Sequence, residues 1–478
     1  MKALILVLAA ALLASADASD ALRLPGHRAT DAPPRGTAVD FDAVIRAEMD
    51  QQRIPGLAVA VIHKGQPVLM KGYGLANVEH QVPVTPDTIF QSGSVGKQFT
   101  AAAAMLLVED GKLQLDAPLT RYFADAPPHW QRIRVRHLLT HTSGLPDYTQ
   151  GTIDYRRDYS EDELLRFAYA LKLEFEPGAR WNYSNTGYVV LGVLIRRASG
   201  RFYGDLLAER VFAPLGMKTA RVISEEDIVP HRAAGYRLVR GELKNQTWVA
   251  PQLNTTADGS LYVSLRDMVA WDAGLRAERV LKTESWRQMF APVALNSGRT
   301  YPYGFGWTLD EIGGRRVQRH GGSWQGFQTD IARYPDGGLT IIVLANLAQA
   351  RPGRISDALA SAIDPALKRP ALKPIPDSDG PFQDRVRRLV QAAAAGTLDP
   401  AEFAYVRAGF FPGTAKAYQD LLREAGAVTR LTLLEDLEIG DDRVRTYEVV
   451  LEKRTVRLRL AVAPDGKLAA LSITPEAR

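Results

Sequence analysis

Ser94-Val95-Gly96-Lys97 runs directly into Gln98-Phe99-Thr100-Ala101-Ala102-Ala103-Ala104-Met105-Leu106-Leu107-Val108-Glu109, and holds the only Ser-x-x-Lys of the chain. Pro86-Asp87-Thr88 upstream predict a turn into a helix, and the apolar run from Phe99 to Glu109 predicts the helix itself. A serine in the first turn and a lysine three residues on share one helix face. The N-terminal end of a helix carries unpaired N–H groups and the positive end of the dipole, which would stabilise an oxyanion formed at Ser94. Because Ala101 to Leu107 is apolar all round, the helix is expected to be buried, and burial lowers a lysine's pKa towards that of a working base.

Working outward, Leu57 to Ile62 and Pro67 to Met70 read as two strands joined at Lys64-Gly65, preceded by a helix over Phe41 to Gln52. Arg315 to Arg319, Phe327 to Tyr334 and Leu339 to Ala345 read as three more strands, the last two joined at Pro335-Asp336-Gly337-Gly338. Helices and loops dominate between these flanks. The simplest assembly is an α+β fold in which both ends of the unit build one antiparallel sheet, with helices packed on it and a helical region inserted.

The chain has 478 residues, too many for one compact domain, and its 46% hydrophobic and 24% charged content is that of an ordinary globular protein. A net charge of +5 without charge runs gives no footprint of a nucleic-acid partner. The absence of cysteine excludes a disulfide framework, a catalytic thiol and a cysteine-ligated metal. Met1-Lys2, the apolar Ala3 to Ala14 and the small residues Ala14-Ser15-Ala16 predict a signal peptide over residues 1–18, cleaved near Ala16 or Ala18, too short to span a membrane once mature. An apolar N-terminal helix of a protein that stays inside the cell is the other reading. Residues 19–38 read as a disordered spacer, 39–365 as the main domain, 366–381 as a proline-rich linker and 382–478 as a small α+β domain. In that last unit helices are expected over Arg385 to Ala395, Pro400 to Ala408 and Ala415 to Glu424, then strands over Val428 to Leu437, Val444 to Glu452, Thr455 to Val462 and Leu468 to Ile473. It shows no clustered nucleophile, base or metal ligands, and its role and any partner cannot be read.

Two further motifs bear on Ser94. Tyr183-Ser184-Asn185 is the only Tyr-x-Asn, and His320-Gly321-Gly322-Ser323 closes a predicted strand. In this order the chain resembles the class C β-lactamase and penicillin-binding serine hydrolase superfamily, whose motifs run Ser-x-x-Lys, Tyr-x-Asn, then Lys-Thr-Gly or His-x-Gly; the stretches Arg136 to Leu145, Pro214 to Met217 and Tyr303 to Trp307 add to the likeness, which spans roughly Phe41 to Asp364. The resemblance implies a β-lactamase/DD-peptidase-like fold and a serine hydrolase without cofactor or metal. Ser94 is then the nucleophile, with Lys97 and Tyr183 a coupled pair either of which can take its proton, and Asn185 binds substrate and orients Lys97. The resemblance puts the two oxyanion donors at the backbone N–H groups of Ser94 and Ser323, beside His320 and Gly322.

The departure is His320-Gly321-Gly322 where β-lactamases carry Lys-Thr-Gly. Histidine is mostly neutral at pH 7 and Gly321 offers only backbone, so weak or no β-lactam hydrolysis is expected. Peptidase and esterase members of the superfamily carry such histidine variants, and the resemblance to them implies an ester, amide or D-amino-acid peptide as substrate. Trp324, Phe327 and Tyr148 are candidates for an apolar cleft, core packing being equally open for Phe327. Two decoys fall away. Gln325 occupies the second glycine position of a Gly-x-Ser-x-Gly elbow, and Leu138 stands where a zincin helix needs glutamate between His137 and His141. Three functional readings remain: a serine hydrolase in the periplasm or secreted, a penicillin-recognising sensor that acylates and releases slowly, and an inactive scaffold. The retained Ser94, Lys97, Tyr183 and Asn185 favour the first over the third.

Overall fold

A computed structural model describes residues 39–149, 153–222, 226–405 and 409–476. The expected signal peptide and spacer lie outside the described residues. Seven antiparallel strands form the main sheet in the spatial order Thr308–Ile312, Arg315–Trp324, Phe327–Tyr334, Leu339–Ala345, Gly56–His63, Gln66–Asn77 and Val82–Pro83. The two ends of the unit meet at its centre, where Val59 stands opposite Val343 on one side and Lys71 on the other.

The central strand explains the layering. Its side chains alternate between faces, and both faces are covered, so the run Leu57 to Ile62 is apolar throughout. Leu57, Val59 and Val61 pack with Ile45, Ile355 and Leu359 from the helices Phe41–Gln52 and Pro352–Ile363. Ala58, Ala60 and Ile62 face the other way, into a core shared with Phe99, Met105 and Trp271 of the helical region. The helix Lys97–Glu109 lies in that second core with every residue from Lys97 to Leu107 buried.

Two sequence expectations differ near the site. The turn expected to lead straight into the helix instead passes through a short strand, Ile89–Gln91, paired with Tyr262–Ser264 far along the chain. Ser94 then sits in a 3₁₀ turn, Gly93–Gly96, and Lys97 opens the α-helix. In a 3₁₀ turn residues i and i+3 eclipse, which draws Ser94 and Lys97 together more closely than an α-turn would. The strand from Arg315 also continues past Arg319 through His320-Gly321-Gly322-Ser323 to Trp324, because its ladder with Phe327–Tyr334 runs the full length.

The C-terminal unit has a four-stranded antiparallel sheet in chain order, Val428–Ile439, Asp442–Leu451, Thr455–Val462 and Leu468–Pro475. Val386, Leu389 and Leu422 of the helices Gly380–Ala395 and Ala415–Leu422 pack on Tyr447, Leu458 and Leu471 of that sheet. The helix expected over Pro400 to Ala408 is a single turn, Pro400–Glu402, after which Ala404 donates its N–H to the Leu468 carbonyl at 2.8 Å; residues 406–408 lie outside the described residues. The linker is extended but not free. Ile375 N–H donates to the Leu433 carbonyl at 2.9 Å, and the Tyr447 hydroxyl to Asp377 Oδ2 at 2.9 Å.

Candidate active site

The site lies where the head of the Lys97–Glu109 helix meets the His320–Trp324 end of its strand and the start of a second helix, Asn185–Ser199. Lys97 Nζ lies 3.1 Å from Ser94 Oγ and 2.7 Å from Asn185 Oδ1, and also donates to the Asp258 carbonyl. Asn185 Nδ2 in turn donates to the Asp147 carboxylate, 3.3 and 3.2 Å from its two oxygens, which fixes the amide with its oxygen towards the lysine. Burial lowers the Lys97 pKa to about 8, against the opposing pull of the Asp258 and Asp147 carboxylates.

This arrangement decides what Lys97 can do. A neutral amine has two N–H groups and one lone pair. Asn185 Oδ1 and the Asp258 carbonyl are pure acceptors and take both N–H groups, so the lone pair is left facing the Ser94 hydroxyl. Tyr183 stands on the other side of the same pair, its ring centre 4.9 Å from Lys97 Nζ. Burial raises the Tyr183 pKa well above its ordinary value, and Ser94 beside its hydroxyl favours ionisation only partly, so the phenol keeps its proton at neutral pH. That hydroxyl is buried without a hydrogen bond of good geometry, although Ser94 is close enough to act on it.

Backbone packs on backbone where the Ser94 turn meets the Ser323 end of the strand. Gly93 has φ +51°, and a Cβ there would lie 2.3 Å from the Ser323 nitrogen; a Cβ on Gly322 would lie 2.1 Å from the Ser92 carbonyl and 2.9 Å from the Ser94 nitrogen. Only glycine permits this approach. The Thr329 hydroxyl, opposite Gly322 in the ladder, donates to the Ser92 carbonyl at 2.6 Å and ties the two segments.

His320 is buried and both its ring nitrogens are engaged, Nε2 with the Tyr303 hydroxyl at 2.9 Å and Nδ1 with the Gly321 carbonyl at 2.6 Å. Burial, then the nearby Lys97, lower its pKa to about 3, so it is neutral. His320 therefore brings no positive charge to the site. Tyr148 is buried and donates to Asp258 Oδ2 at 2.9 Å, Trp324 donates to Asn254 Oδ1, and Phe327 packs edge-on against Phe90 with centroids 6.1 Å apart, which makes Phe327 a core residue. His137 accepts the Arg134 N–H with Nδ1 at 3.1 Å, while the His141 ring meets Tyr303; the two histidines do not converge. Asp147, Asp258, His141 and Tyr303 belong to the site and sequence reasoning gave them no role. The last two lie in stretches that carry the family likeness, whereas nothing in the local sequence singles out the two aspartates.

With this geometry, comparison with known proteins gives the class: residues 41–363 match the β-lactamase family, and the chain belongs to it as a serine hydrolase. Among curated relatives, it is 33% identical to penicillin-binding protein 4* of Bacillus subtilis over 57% of this chain and 64% of that protein, under two thirds of that relative's length. It is 30% identical to the D-aminopeptidase of Brucella canis over 82% of this chain and 75% of the relative. Among solved structures, D-amino acid amidase from Ochrobactrum anthropi SV3, complexed with L-phenylalanine amide, superposes with TM-score 0.60 at 28% identity, covering 69% of this chain and 99% of that one. The octameric penicillin-binding protein homologue from Pyrococcus abyssi shares the fold, with TM-score 0.62, 24% identity and coverage of 91% of this chain and 98% of that one. No helix of the described residues is long and apolar enough to cross a membrane.

Proposed function

We propose that the chain is an exported hydrolase that cleaves amides, esters or short peptides of D-amino acids through an acyl-Ser94 intermediate. The observation that carries this reading is the buried Lys97 amine, its pKa lowered to about 8, 3.1 Å from Ser94 Oγ with both its N–H groups otherwise occupied. In the proposed cycle Lys97 takes the hydroxyl proton as Ser94 Oγ bonds to the substrate carbonyl carbon, and the Ser94 and Ser323 N–H groups meet the charge on the carbonyl oxygen. Tyr183 passes its proton to the departing nitrogen or oxygen as its bond to carbon breaks and takes one back from the Lys97 ammonium, which restores the phenol and the neutral amine. Water then repeats the sequence on the ester, releasing the acid and returning the proton to Ser94.

The D-amino-acid preference is supported by the D-aminopeptidase and D-amino acid amidase relatives, and weak β-lactam hydrolysis by the neutral His320. Export is supported by the leader read in Met1 to Ala16. The test is turnover of D-alanine p-nitroanilide, its L enantiomer, a p-nitrophenyl ester and a chromogenic cephalosporin by the mature chain and by Ser94→Ala. The expected result is D-selective amide cleavage and esterolysis, little cephalosporin hydrolysis, and loss of all of it in the variant. Wild-type rates in Ser94→Ala would refute the mechanism.

A further inference from the structure

His141 is 1% exposed and carries a φ of +58°, a left-handed conformation uncommon outside glycine. That conformation turns both its carbonyl and its ring towards one target. The His141 carbonyl accepts the Asn182 N–H at 2.9 Å, and its Nδ1 accepts the Ser184 N–H at 3.1 Å. Those two residues flank Tyr183. The His141 ring lies tilted on the Tyr183 ring, with centroids 4.1 Å apart. Tyr183 is therefore held on its two chain neighbours and on its ring face by a single residue.

The remaining ring nitrogen continues the connection. Nδ1 accepts the Ser184 N–H hydrogen bond, so Nε2 carries the ring hydrogen and donates to the Tyr303 hydroxyl at 3.2 Å. Tyr303 donates to His320 Nε2 at 2.9 Å, and His320 Nδ1 donates to the Gly321 carbonyl at 2.6 Å. Every donor in this series points the same way, from the Tyr183 segment to the strand that carries Ser323. We propose that His141 is a positioning residue for the reaction: it fixes Tyr183 against Ser94 and, through Tyr303, holds that segment in register with the oxyanion strand. The proposal rests on the Ser94–Tyr183 mechanism above.

The test is a mutant cycle in the full chain with an activated p-nitrophenyl ester, comparing His141→Ala, Tyr183→Phe, the double variant, His141→Asn and Ser94→Ala. Misplacing a catalytic group by about 1 Å costs roughly a hundredfold, so His141→Ala is expected to lower kcat by about that factor with KM within about threefold. In the Tyr183→Phe background the same substitution should change kcat by less than about threefold, because residues acting as one unit are not additive. His141→Asn, whose side-chain oxygen can accept the Ser184 N–H, should keep about tenfold more activity than His141→Ala. Equal losses in both backgrounds, or a change in KM alone, would overturn the proposal. If His141→Ala does not fold, His141→Asn carries the same cycle with an expected loss of about tenfold that vanishes beside Tyr183→Phe. Wild-type activity in Ser94→Ala would instead sink the serine mechanism itself, so the two failures are distinguishable.

Discussion

Lys97 must be neutral to accept a proton, and its ammonium form gives up protons only as pH rises through about 8. We therefore expect kcat/KM to rise with pH on a limb centred near that value, a property of Lys97 and Tyr183 together. His320, with a pKa of about 3, contributes no limb near pH 6–7. A pH–rate profile of wild type and His320→Gln checks both points, and a limb near 6.5 that disappears in the variant would contradict the assignment. Gly93 allows a second residue-scale test. Its Cβ would fall 2.3 Å from the Ser323 nitrogen, so Gly93→Ala must push apart the two segments that carry the proposed oxyanion donors. Loss of one such donor costs about 10²–10³ in kcat, and a steady-state comparison should find a loss of that order. Residue type and order single out Ser94, Lys97, Tyr183 and Asn185 in the sequence, and the fold brings the four together. Asp147 and Asp258 are not legible there: the first meets Lys97 through Asn185, and the second touches it through a main-chain carbonyl that any residue has, while both carboxylates act on the Lys97 charge only because folding brings them near.

The helix that brings Asn185 to Lys97 starts at a cap, Ser184, whose hydroxyl accepts the Gly187 N–H at 3.2 Å while its own N–H goes to His141. Ser184→Ala removes the first bond and leaves the second. It should lower stability by about 1 kcal/mol, read as a shift in the urea midpoint at constant slope, while kcat stays within a few-fold. An unchanged midpoint would mean the cap contributes nothing. Elements with strong local signals were readable at this scale. The strands Phe327–Tyr334 and Leu339–Ala345 and the helix Phe41–Gln52 begin and end where periodicity and turn residues put them. Ile89–Gln91 was missed because a three-residue strand has too short a pattern to read, and its partner Tyr262–Ser264 is distant in sequence. Likewise the clamp around Tyr183 draws on residues 141, 182, 184, 303 and 320, a juxtaposition that only the folded chain makes.

At the scale of the whole molecule the C-terminal sheet reaches the loop that leads to Tyr183. Arg180 Nη1 lies 3.0 Å from Asp442 Oδ1 with its guanidinium 5.6 Å from the centre of the Tyr405 ring, Phe175 contacts Tyr405, and Arg299 pairs with Glu438 at 2.8 Å. Burial raises the Asp442 pKa in spite of Arg180, so the carboxylate is poorly solvated and depends on its partner. Arg180→Ala, which leaves that carboxylate alone, should cost about 2 kcal/mol and more than Asp442→Ala does. Chemical denaturation of both variants checks the order, and equal small losses would show that the contact between the units contributes little. A separate C-terminal unit was legible from the proline-rich linker and the restart of the pattern. Its contacts with the Arg180 loop were not, because isolated charges on two distant segments carry no pairing signal. The proposed hydrolysis requires a covalent bond to Ser94, which rapid-quench intact-mass measurement during turnover of a p-nitrophenyl ester detects. The predicted result is a short-lived adduct of acyl mass that maps to the peptide containing Ser94 and is absent from Ser94→Ala. Turnover with no adduct at any quench time, undiminished in that variant, would contradict it.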